Sequence, residues 1–101
     1  MKEEALIYQQ AKRFLKHRRF LQAQQAIDRA IGVNPNIAGF YFLRSQAAFK
    51  QGDYSASVEA LRRALAIVPD EPRFQKALDI SLRRSSGGAK AAARRDRAHA
   101  V

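Results

Sequence analysis

"FYFLRSQAAFKQGDYSASVEALRRALAIVPDEP" spans residues 40–72. Tyr41, Phe42, Ser45, Ala48 and Phe49 stand at spacings of one, three and four, and so do Tyr54, Val58, Leu61, Ala64 and Leu65. That is the period of a helix, not the alternation of a strand. Between the two runs, Gly52 can take the left-handed conformation that ends a helix, and Asp53 can cap the next one. Pro69 closes the second run, because the residue before a proline is disfavoured in helical geometry and proline donates no hydrogen bond. The stretch reads as two helices joined by a tight turn.

The same pattern recurs upstream at an offset of thirty-four residues. Pro35 aligns with Pro69, Ala30 with Ala64, Ile31 with Leu65 and Ile27 with Leu61. Phe20 aligns with Tyr54, Lys16 with Lys50, Ala11 with Ser45, Ala23 with Ser57 and Tyr8 with Phe42. Side-chain size is preserved as well as polarity. A period of this length marks stacked repeats, because one helix pair cannot bury both of its apolar faces alone. The pattern predicts five helices, over 3–16, 20–33, 37–50, 54–67 and 71–84. Ser85-Ser86-Gly87-Gly88 is expected to break the last helix. Residues 85–101 are then expected to form a basic tail, disordered on its own.

The two turns differ. "KQGDY" at 50–54 has glycine and aspartate where "KHRRF" at 16–20 has Arg18 and Arg19. Arg18 in the left-handed conformation would cost about 1–2 kcal/mol. Arg19 gives up a cap worth about 1 kcal/mol. The first turn either takes another geometry or carries strain.

With period, small residues, turn and proline in agreement, residues 4–69 resemble the tetratricopeptide repeat family. The second copy carries the family pattern at Tyr41, Ser45, Gly52-Asp53-Tyr54, Ser57, Leu61, Ala64 and Pro69. A more divergent first copy carries it at Ile7, Ala11, Phe20, Ala23, Ile27, Ala30 and Pro35. The resemblance implies an all-α fold, a short right-handed α-solenoid of antiparallel helix pairs. Its domain would span residues 1–84, with repeats at 4–37 and 38–71 and a capping helix at 72–84. Phe74, Ala77, Leu78 and Leu82 form the apolar stripe of that last helix. The resemblance further implies a concave peptide-binding groove lined by the first helix of each unit. Carried onto this chain, the groove residues are Tyr8, Lys12 and Leu15, then Phe42, Gln46 and Phe49, then Arg73, Lys76, Ile80 and Arg83. Leu15 and Phe49 read equally well as core. A subclass of the family grips a C-terminal carboxylate with a fixed Lys, Asn and Arg set. Tyr8, Lys12 and Leu43 depart from that set, so this clamp is not expected.

The 101 residues suffice for about one small domain. There is no cysteine, hence no disulfide framework, thiolate site or thiol nucleophile. His17 and His99 are the only histidines, and neither has metal-ligand spacing or a catalytic neighbour. Glu3-Glu4 and Asp70-Glu71 sit where helices begin, a position that favours negative charge. No phosphate loop or nucleophile elbow is present. The expected protein is therefore not an enzyme and has no metal or cofactor. "MKEEALIYQQ" lacks the apolar stretch of a secretory signal, and no apolar run has membrane-spanning length. A cytoplasmic setting is expected.

The net charge is +10, with fifteen basic and eight acidic side chains already within residues 1–84. Such a balance favours an acidic partner. The leading expectation is a protein-interaction module acting as adaptor, chaperone or assembly subunit. It would bind a segment with acidic residues and apolar anchors. One alternative is nucleic-acid or anionic-surface binding through a basic surface of Arg13, Lys16, Arg18 and Arg19, helped by Lys12 and the tail. Another is a structural fragment of a larger repeat array. Self-association through the open edges of the stack is also expected to be available.

Overall fold

The computed structural model describes residues 2–100, with side chains described for residues 3–86. Its helices are α1 (Lys2–Lys16), α2 (Phe20–Val33), α3 (Ala38–Lys50), α4 (Tyr54–Ile67) and α5 (Pro72–Ala100). Among the described residues there is no strand. Each helix packs on the next along the chain, and α1 also meets α3. The fold is all-α, and the first four helices begin within one residue of the starts that periodicity predicts.

Small residues set how closely the helices approach. Ala23, Ala26, Ala30, Ala47 and Ala64 are each at most 1% exposed. One core cluster joins Ala11, Ala23, Ala26, Ile27, Leu43 and Ala47, with Ile7, Tyr8, Phe14 and Leu15 packed against it. A second joins Ala38, Tyr41, Leu61, Ala64 and Phe74, with Phe42, Leu65, Ala77 and Leu78 against it. Ile31 touches both clusters, so α2 links the two halves of the stack. Burying a side chain such as Leu61 contributes about 1.5–3 kcal/mol.

The repeat holds at the level of contacts. Tyr8 packs on Phe40 with ring centroids 6.3 Å apart. Thirty-four residues on, Phe42 packs on Phe74 at 4.9 Å. The Tyr41 hydroxyl donates to the Pro35 carbonyl at 2.8 Å, and Gln75 at the equivalent position donates to the Pro69 carbonyl at 3.0 Å. These bonds tie the first turn of α3 and of α5 to the proline that ends the preceding helix. Leu6 stands one repeat before Phe40 and two before Phe74. Phe40 and Phe74 are buried against the unit before them, while Leu6 is 67% exposed because no unit precedes it among the described residues. The last interface has a polar pin. Ser57 on α4 and Ser81 on α5, both buried, share a hydroxyl–hydroxyl hydrogen bond of 2.9 Å.

Both tight turns have the same geometry. The amides of Gly52 and Asp53 donate to the carbonyls of Phe49 (3.0 Å) and Ala48 (2.9 Å). The amides of Arg18 and Arg19 donate to Leu15 (3.1 Å) and Phe14 (2.8 Å). This nested pair is the Schellman ending of a helix, and it needs a left-handed residue at its centre. Gly52 has φ 81° and Arg18 has φ 60°, so the first turn keeps the geometry of the second and carries the strain. The caps differ as well. The Asp53 carboxylate accepts the Ala56 amide at 3.1 Å, whereas Arg19 makes no side-chain cap to α2.

At the end of the chain the helix break placed at Ser85-Ser86-Gly87-Gly88 does not occur, and α5 runs on to Ala100. Glycine lowers helix stability by about 1 kcal/mol without blocking the backbone hydrogen bond. No proline follows to force an end, and the alanine-rich run beyond favours helix.

Candidate functional site

Because α1, α3 and α5 each open a unit, they lie side by side. A depression of about 770 Å³ runs across them, within the size range of ligand sites. Lys12 and Leu15 of α1, Phe42, Gln46 and Phe49 of α3, and Ile80 of α5 all line it. Leu15, Phe42 and Phe49 are half-buried, so each helps fill the stack while its outer edge forms the floor. Phe42 is braced by Phe74, and Phe49 meets Tyr54 edge-on at 5.2 Å. The floor is therefore packed from beneath.

The other four expected groove residues lie outside this lining. Tyr8 packs on Phe40, and its ring carries the Lys12 ammonium 5.6 Å from its centre. Arg73 turns to Glu71, with Nε 2.9 Å from the carboxylate. That same carboxylate accepts the Arg73 amide at 3.2 Å, capping α5 beside Pro72. The side-chain bond from Arg73, followed by the amide, holds the Glu71 carboxyl below its ordinary pKa, and Glu71 raises that of Arg73 in return. Arg83 pairs with Asp79 at 2.7 Å. Lys76 is exposed on α5.

The four residues expected to form one basic surface divide between two places. Lys16 and Arg18 line the groove. Arg13 and Arg19, with Phe14 and His17, line a separate depression of about 500 Å³. Lys50 also lines the groove, which the sequence reading missed. Its signal was present in the alignment of Lys50 with Lys16 at the repeat offset. No carboxylate lines the groove, and none of Lys12, Lys16, Arg18 and Lys50 enters an ion pair among the described residues. The result is an apolar floor beneath unneutralised cations.

Other site types find little support. Among the described residues, no group of three or more His, Cys, Asp or Glu could hold a metal ion. No described helix is long and apolar enough to cross a membrane.

Antiparallel pairs repeating every thirty-four residues, with a groove across their opening helices, define a helical-repeat module. The family model described as tetratricopeptide repeat matches residues 8–72, and the chain belongs to that family. Repeats of this family generally mediate protein–protein interaction, and the family is one of non-enzymatic interaction modules. No curated protein sequence matches the chain.

Proposed function

We propose that the groove across α1, α3 and α5 captures a segment of a partner protein, and that the chain serves as an adaptor, chaperone or assembly subunit. One observation carries this reading: a depression of about 770 Å³ with an aromatic and aliphatic floor, a cationic lining and no carboxylate. Apolar anchors of the partner would fill the floor between Leu15, Phe42 and Phe49, where desolvation makes contacts most effective. Acidic residues beside those anchors would meet the cations, which adds orientation and association rate more than raw affinity. The partner is thus a segment with both apolar and acidic side chains.

The test uses two exposed groove positions, so that the core is untouched. Gln46→Glu with Ile80→Glu places two carboxylates where the lining has none. On an array of peptides varying in charge and apolar content, the parent chain should retain acidic peptides with apolar anchors. The double variant should lose them by about tenfold or more, since like charges set face to face cost several kcal/mol. Equal retention by both proteins would place binding elsewhere.

A further inference from the structure

The groove's cations form an ordered row. Lys16, Lys50 and Arg84 occupy the same position in successive units, each thirty-four residues apart, at the C-terminal ends of α1 and α3 and on the matching turn of α5. Lys16 and Lys50 line the groove, and the Arg84 guanidinium lies 5.6 Å from the centre of the groove residue Phe49. Arg18 adds a fourth cation beside Lys16. It does so from a left-handed backbone, φ 60°, that an arginine adopts at a cost. Its counterpart Gly52 does not line the groove. Strain held at a residue facing a binding surface points toward function.

We infer that Lys16, Lys50 and Arg84, extended by Arg18, form a carboxylate-reading ladder along one end of the groove, and that its ligand is an extended protein segment bearing Asp or Glu at about every third residue. The inference rests on the groove reading above and adds the register of the acids. Packed helices stand about 8–10 Å apart. An extended chain in the polyproline-II conformation advances about 3.1 Å per residue and returns every third side chain to the same face, so three residues match one step of the ladder. The apolar residues between the acids would face Leu15, Phe42 and Phe49. Charge complementarity favours such a segment, because no carboxylate lines the groove to neutralise these cations from within.

The experiment measures fluorescence anisotropy with three labelled nonapeptides. The first carries Glu at every third position with Leu and Phe between. The second has the same composition with its Glu residues contiguous. The third replaces each Glu with Gln. The first should bind tightest, by about three- to tenfold over either relative, with the advantage shrinking as salt rises. Lys50→Glu should remove that advantage. Arg18→Gly should reduce it severalfold while raising the melting temperature, which separates lost recognition from lost folding. Equal binding of the first and second peptides would overturn the ladder, as would an Arg18→Gly variant that gains stability and keeps full affinity. If the first and third bind equally, the ladder falls and the groove reading keeps only its apolar anchors. If none of the three binds, both fall. A single-stranded oligonucleotide that binds more tightly than the first peptide and loses affinity in Lys50→Glu would assign the row to phosphates and overturn the proposal.

Discussion

Leu61→Ala should destabilise the protein by about 2–5 kcal/mol. Leu61 is fully buried in the second core cluster, where α4 meets Tyr41 of α3 and Phe74 of α5. Truncation removes the buried methyl groups and leaves a cavity walled by side chains fixed on three helices, so little collapse can fill it. Small domains commonly have only about 5–15 kcal/mol of total stability, and a chain of this size lies toward the low end. In a thermal melt followed by circular dichroism, the loss should lower the midpoint by about 10 °C or more. Leu6→Ala is the control. Leu6 belongs to the same repeat pattern but is 67% exposed, so its truncation should change stability by no more than about 0.5 kcal/mol. Equal losses at both positions would mean that Leu6 is packed as firmly as Leu61, against the exposure described.

Arg18→Gly with Arg19→Asp should stabilise the protein by about 2 kcal/mol. The first exchange removes the left-handed strain, about 1–2 kcal/mol, less about 0.4–1 kcal/mol for the greater freedom glycine gives the unfolded chain. The second supplies the cap that α2 lacks, about 1 kcal/mol. It also puts a negative charge at the start of a helix with no acidic residue in its first turn. The backbone of Arg19, φ −94° and ψ 71°, closely matches that of Asp53, φ −88° and ψ 78°, so the new carboxylate needs no rearrangement to reach the Gln22 amide. Chemical denaturation should show a higher midpoint at an unchanged slope. An unchanged midpoint would mean that the first turn relaxes in solution to a conformation without strain.

Much of the fold was legible because its determinants are local. The period of Phe20, Ala23, Ile27, Ala30 and Ile31 fixes a helix and its inner face, and Pro35 and Pro69 fix where two helices stop. The turn at Arg18 was open to two readings, since sequence alone does not say whether a poor turn residue changes the geometry or endures it. The nested hydrogen bonds decide for strain. The course of α5 is less legible, because Gly87 and Gly88 read as a break although each glycine only weakens a helix.

The groove was less legible. Repeat position says which helix face a residue occupies, and so Leu15, Phe42, Gln46, Phe49 and Ile80 could be gathered on one surface. It does not say what a long side chain does next. Arg73 turns to Glu71 and Arg83 to Asp79, while Lys50, never singled out, joins Lys16 in the lining. The Ser57–Ser81 pin and the bonds from Tyr41 and Gln75 to prolyl carbonyls link residues whose meeting depends on the assembled stack.

Amide chemical-shift mapping tests the central claim most directly. Titrating the isotopically labelled chain with the peptide bearing Glu at every third residue should move the resonances of Lys12, Lys16, Gln46, Phe49, Lys50 and Ile80. The outward face of α2 and α4, at Gln25, Arg29, Arg62 and Ala66, should stay still. Shifts confined to that outward face, or to the depression around Arg13, His17 and Arg19, would contradict a groove-binding module.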